Sequence, residues 1–114
     1  MLSCPINEWE MYIVNTSFMV EYAVHARWLD TMTRHFLPLV ASAGFPDIVF
    51  TRVLSDESEG HFTYSLQIPV SDMTGYRRFV HDLLSEYIAV ADPAFGEQVL
   101  HFTSLLKRVE WGEE

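Results

Sequence analysis

The middle of the chain has the pattern of a β-hairpin, and the segments on either side must pack around it. Two apolar runs, residues 45–54 (FPDIVFTRVL) and 61–70 (HFTYSLQIPV), are separated by SDESEG at 55–60. A short spacer of turn-forming residues predicts that the two runs are antiparallel neighbours. In the second run apolar and polar residues alternate, so this strand is expected to have one apolar and one polar face.

The segment before the hairpin is helical by pattern. Residues 22–42 have the 3.6-residue period of an amphipathic helix. Its apolar stripe is centred near Trp28 and also contains His25 and His35, and Gly44 supplies a stop after it. The stripe is wide enough to face a core.

A second helix is predicted after the hairpin. It begins at a cap formed by Ser71 or Asp72 and runs to about Ala91, where an aspartate and Pro93 end it. The first helix contains a proline of its own, Pro38, which removes one backbone hydrogen bond and favours a kink in the preceding turn.

Two further apolar runs, residues 10–20 and 99–111, are each predicted to form a strand. The element order is then βαββαβ. With right-handed crossovers, this order predicts an α+β, ferredoxin-like fold, in which a four-stranded antiparallel sheet carries both helices on one face. A chain of 114 residues suits one such domain, expected at 10–111 between an irregular N-terminal extension at 1–9 and an acidic tail at 112–114.

Two helices cover only one face of such a sheet, and the other face is not cleanly polar. In the first strand Asn15 shares a face with Met19 and the alternate face is apolar, and in the last strand one parity contains Leu100, Phe102 and Leu106 while the other is also apolar. A sheet that is substantially apolar on both faces is expected to be covered again. The simplest cover is a second copy, packed sheet against sheet about a two-fold axis to form a dimeric α+β barrel.

Charge and cysteine content limit the partners and the compartment. The formal net charge is −9, which repels phosphate backbones and anionic lipids, so nucleic acid and membrane partners are not expected. No apolar run reaches the roughly 18 to 20 residues that cross a bilayer. The single cysteine, Cys4, cannot form an internal disulfide, and a cytoplasmic location is the expectation.

Several stretches together resemble a bacterial family of domains of unknown function, number 4286. The segments are YIVNTSFMV (12–20), HARWLDTMTRHFLPLVASAGF (25–45), TYSLQ (63–67), YRRFV (76–80) and FGEQVLHFTSLLKRVE (95–110). The family's helix signature, a His-x-x-Trp followed by His-x-x-Pro and a small-Gly-Phe exit, maps onto His25, Trp28, His35, Pro38, Ala43, Gly44 and Phe45. The resemblance implies the dimeric α+β barrel fold but no activity, since none is assigned to the family.

The conspicuous residues of the first helix can belong to the core or to a site. Trp28 is expected to be a core residue with one hydrogen bond to its indole N–H. His25 would satisfy a loop carbonyl, and His35 would be a core histidine bonded to carbonyls freed by the kink. In the opposite interpretation, His35 is a site residue.

Metal and cofactor chemistry is not expected. His25 and His35 are ten residues apart and diverge on the helix, so they lack the spacing of a helical zinc site. The acidic hairpin spacer lacks the ligand series of a calcium loop. There is no glycine-rich phosphate loop and no nucleophile elbow.

Two functional hypotheses remain, and enzyme status stays open. The first is a non-catalytic homodimeric module that binds a small apolar or carboxylate ligand; the ligand-binding candidates are Asn15, Trp28, His35, Arg52, Ser65 and Gln67. The alternative, by analogy of fold alone, is a cofactor-independent monooxygenase or isomerase with His35 as general base and Arg52 holding substrate charge. An enzyme requires these side chains to converge in one cavity.

Overall fold

The computed structural model describes residues 12–56 and 60–112. In chain order the elements are strand β1 (Tyr12–Glu21), helix α1 (residues 22–42), strand β2 (Val49–Arg52), strand β3 (His61–Val70), helix α2 (residues 73–95) and strand β4 (Val99–Lys107). The strands form one antiparallel sheet in the order β2-β3-β1-β4. Both helices pack on the same face, and the predicted ferredoxin-like βαββαβ fold is confirmed.

Two strands are shorter than the sequence predicted. β2 occupies only four residues of the run 45–54, because Asp47 has a φ of 56° and Phe45 turns into the core. β4 ends at Lys107, opposite Tyr12, and residues 108–112 continue without strand pairing. The first two residues of the predicted first strand lie outside the described residues.

The sequence predicted the start of α2 but not its end. The N-terminal cap is Asp72, whose carboxylate accepts a hydrogen bond of 3.1 Å from the Gly75 N–H. The prediction that Pro93 ends the helix is wrong, since α2 continues to Phe95. The proline removes a single helical hydrogen bond in the last turn, and burial of Ala91 and Phe95 holds that turn against the core.

Both helices contain a wide π-helical turn, at Met32–Phe36 in α1 and at Phe79–Leu84 in α2. Four residues of an ideal helix advance about 40° past a full turn, so side chains spaced by four drift off a buried face. The wider turn cancels this drift. As a result the buried side chains recur every four residues, as Val24, Trp28, Met32, Phe36 and Val40 in α1 and as Phe79, Leu83, Tyr87, Ala91 and Phe95 in α2.

The π turn of α1 lies directly before Pro38, where the sequence predicted a kink. The N–H of Leu37 donates to the carbonyl of Met32, five residues earlier. The local disturbance next to the proline therefore takes the form of a wider turn, and the helix continues to Ser42.

Trp28 lies at the centre of the core between the helices and the sheet. It has no exposed surface, and its indole N–H donates to the hydroxyl of Tyr87 over 2.9 Å. The ring of Phe18 on β1 lies 5.3 Å from both of these rings. The expectation of a buried tryptophan with one hydrogen bond is confirmed.

Candidate functional site

The face of the sheet opposite the helices is the candidate site. Along β1 and β3 the buried side chains alternate with half-buried or exposed ones, which places alternate residues on this open face. Strand register aligns them in rows: Asn15 lies opposite Gln67 on β3 and Ser104 on β4, and the next row contains Ser17 and Ser65.

The centre of the open face is polar. We call Asn15, Ser17, Ser65 and Gln67 the polar belt. The hydroxyl of Ser65 donates to the Asn15 side-chain oxygen over 2.8 Å, and both residues are half-buried. This bond fixes the orientation of the Asn15 amide, so the belt presents amide and hydroxyl groups without a charge.

Exposed apolar side chains border the belt, mainly on its β4 side. We call Met19, Leu100, Phe102 and Leu106 the apolar border; they are exposed by 42, 50, 68 and 40% respectively. Three of the four lie on β4, an edge strand. Phe102 lies beside Ser17 in register, so the border directly adjoins the polar belt.

The open face is depleted of charge, although the whole chain is strongly acidic. The chain contains 16 Asp and Glu residues, but among the described strand residues on this face Glu21, at the end of β1, is the only carboxylate. No described strand places a Lys or Arg there. Depletion of charge together with exposed apolar side chains is a composition found in protein interfaces.

Arg52 lies on the opposite side of the sheet, where it belongs to a separate cluster at the β2 edge. Its guanidinium lies 4.8 Å from the ring centre of Phe62. The ring of His25 lies 4.5 Å from the same ring, and its Nε2 forms a hydrogen bond of 2.7 Å with the Tyr64 hydroxyl. His25 therefore bonds a side chain of β3, where the sequence predicted a loop carbonyl.

The pKa of His25 is lowered by its burial, and further by the charge of Arg52. A lowered pKa favours the neutral imidazole at pH 7, and a neutral imidazole can exchange one hydrogen bond with the Tyr64 hydroxyl in either direction. This cluster is well packed and lies away from the polar belt.

His35 is exposed, and the expectation of a core histidine is wrong. In an ideal helix it would lie within about 20° of Trp28, but it falls inside the π turn, which keeps residues spaced by four on the buried side and turns His35 outward. It borders a shallow groove of about 70 Å³ between the helices, together with Leu39, Glu86 and Val90.

The structure thus brings together three of the six predicted ligand-binding residues. Asn15 and Ser65 are hydrogen-bonded, and Gln67 is the cross-strand neighbour of Asn15. Trp28 is buried in the core, while His35 and Arg52 lie on other surfaces. Within residues 12–56 and 60–112 no three potential metal ligands lie close enough to hold an ion.

Sequence reasoning missed two features near these residues. The bond between His25 and Tyr64 could not be foreseen, because it joins residues 39 positions apart. The outward direction of His35 did have a signal, since apolar residues recur every four positions from Val24 to Val40.

Comparison with known proteins supports the fold. A dimeric ferredoxin-like protein from an uncultured marine organism superposes with a TM-score of 0.56, at 11% identity, over 90% of this chain and 99% of its own. A second dimeric ferredoxin-like protein, also from an uncultured marine organism, has a TM-score of 0.49 and 12% identity over 90% of this chain and 100% of its own. No curated protein matches the sequence.

Within the described residues no helix combines the length and apolar character needed to cross a membrane. The family model for the domain of unknown function DUF4286 matches residues 11–109. This match covers β1 through β4, including the polar belt and the apolar border. The chain therefore belongs to the DUF4286 family.

Proposed function

We propose that the protein is a non-catalytic, cytoplasmic bacterial module that works as a homodimer, with two copies packed through their open faces. The observation that carries the proposal is the charge-depleted face with its exposed apolar border in a chain of net charge −9. Two acidic chains repel each other overall, so a face with few charges is where they can approach most closely.

The described charges on the helix side support this choice of face. α1 carries Arg27, Asp30 and Arg34, with a salt bridge of 2.9 Å between the last two. Exposed charges in an interface must be desolvated, which costs free energy unless each finds a partner. The marine relative with a TM-score of 0.56 is described as dimeric, in agreement with a dimer of this fold.

In such a dimer the two polar belts and the two apolar borders lie together between the copies. The enclosed groups are amides and hydroxyls, and Arg52 is on the other side of the sheet. We therefore favour a small, largely apolar ligand with neutral hydrogen-bonding groups. A carboxylate ligand would require a cation in the space between the two open faces. Native mass spectrometry of protein purified without denaturation would detect a retained ligand as a stoichiometric added mass.

The enzyme alternative has no observation in its favour. His35 lies in a groove on the helix layer and Arg52 lies at the β2 edge, so the proposed base and the charge-holding group face different surfaces. General acid–base catalysis needs both groups within reach of one substrate.

Sedimentation equilibrium tests the dimer. Phe102→Asp places an unpaired carboxylate in the proposed interface and should weaken dimerisation at least about 100-fold. Val90→Asp is the matched control, since Val90 is 53% exposed but lies on the helix layer. We expect wild type and the control to sediment at twice the chain mass and Phe102→Asp at the chain mass; a dimeric Phe102→Asp protein would contradict the proposal.

A further inference from the structure

The residues that follow β4 carry large apolar side chains into solvent. We call residues 108–112 the β4 arm. Val109 is 76% exposed and Trp111 is 92% exposed. Tryptophan is highly buried on average in folded proteins, so its nearly complete exposure here leaves about 150–250 Å² of aromatic surface available to a partner.

The arm continues directly from the most apolar edge of the open face. Lys107, the last residue of β4, lies opposite Tyr12 at one end of the sheet. The same strand carries Leu100, Phe102 and Leu106 of the apolar border. The exposed side chains of the arm and the three border residues on β4 are thus parts of one continuous stretch of chain.

The area of the open face is small for a stable dimer. Four strands spaced by about 4.8 Å, each of about nine residues at 3.3 Å per residue, give a face of roughly 19 by 30 Å, or about 570 Å². This is an upper value, because β2 has only four residues. Specific interfaces bury about 800 Å² per partner. The side chains of Trp111 and Val109, which are 92 and 76% exposed, would enlarge this contact.

We propose that the β4 arm of each copy crosses to the other, where Trp111 and Val109 pack on the apolar border of the partner. This inference rests on the proposed homodimer and names the segment that completes it. The arm adds no net charge to the contact, since Arg108 and Glu110 carry opposite charges. The dimer is then held by the two faces and by two symmetric arms.

Sedimentation equilibrium of Trp111→Ala tests the arm. Truncation of a tryptophan anchor commonly weakens an interface tenfold or more, so we expect the dimer dissociation constant to rise at least about tenfold. Leu54→Ala is the matched control, because Leu54 is 67% exposed but lies in the turn after β2. That variant should dimerise as wild type does.

A second comparison separates loss of contact from loss of folding. In the Phe102→Asp background, Trp111→Ala should leave the urea unfolding midpoint unchanged, because Trp111 is almost fully exposed in its own chain. A Trp111→Ala protein that dimerises like wild type would overturn the arm while the proposed homodimer stands. A wild-type protein that sediments as a monomer at every concentration would overturn both.

Discussion

The hydrogen bond between Trp28 and Tyr87 offers a quantitative test of the core. The indole N–H donates over 2.9 Å to the Tyr87 hydroxyl, the two residues being 0 and 3% exposed. Tyr87→Phe keeps the ring and its packing but leaves the buried indole N–H without a partner. A lost hydrogen bond and an orphaned donor together cost about 1–3 kcal/mol. For a domain of this size the melting temperature should fall by roughly 4–12 °C.

The assay is urea unfolding followed by circular dichroism, in the Phe102→Asp background so that dimerisation does not contribute. Tyr76→Phe is the matched control, because Tyr76 lies half-buried on the same helix. The free energy of unfolding of this variant should differ from that of the background protein by less than about 0.5 kcal/mol. A double-mutant cycle with Trp28→Phe should give a coupling of about 1 kcal/mol or more. A Tyr87→Phe protein as stable as the control, or a coupling near zero, would show that the Trp28–Tyr87 hydrogen bond does not stabilise the core.

Two further predictions concern the β2 edge and the start of α2. Burial, and after it the charge of Arg52, lower the pKa of His25 from 6.5. Just below pH 6.5 the unfolded chain therefore binds a proton that the folded chain does not. The free energy of unfolding consequently decreases as the pH falls through 6.5. His25→Gln should reduce this loss in urea unfolding measured from about pH 7.5 to about pH 5; equal pH slopes would show that His25 does not cause it. Gly75→Ala would normally stabilise a helix by about 0.5–1 kcal/mol, but here the new Cβ would lie 2.9 Å from the Val70 Cβ. We expect a loss of about 1 kcal/mol or more by thermal melting, and a gain would show that Val70 moves aside freely.

Much of the fold was predictable because local patterns determine it. The alternation in residues 61–70 predicted β3 with its bounds, and apolar residues on both parities of the last strand predicted a sheet that is apolar on both faces. Patterns of period two identify which side chains share a face. They also place Asn15, Ser65 and Gln67 together once the strand order is known.

The errors arose where backbone geometry departs from the ideal period. His35 was assigned to the core on a regular 3.6-residue helix, but the π turn at Met32–Phe36 turns it outward. The run 45–54 appeared long enough for a full strand, but the left-handed backbone at Asp47 shortens it. The positive φ at Asp47 leaves little trace in apolar periodicity, whereas the π turn is visible as apolar residues that recur every four positions from Val24 to Val40.

The ligand candidates divided for a different reason. Arg52 and the polar belt lie on opposite faces of the same sheet, so a shift of one residue in strand parity decides whether a cation faces the site. The hairpin pattern alone did not fix that parity for β2, because its residues do not alternate cleanly.

The most direct test of the central claim is an isotope-filtered nuclear Overhauser experiment on dimers that pair one labelled copy with one unlabelled copy, since it reports only contacts between copies. For a dimer packed through the open faces, we expect intermolecular signals to the methyl groups of Met19, Leu100 and Leu106. Intermolecular signals confined to Leu39 and Val90 on the helix layer, or no such signals at all, would contradict it.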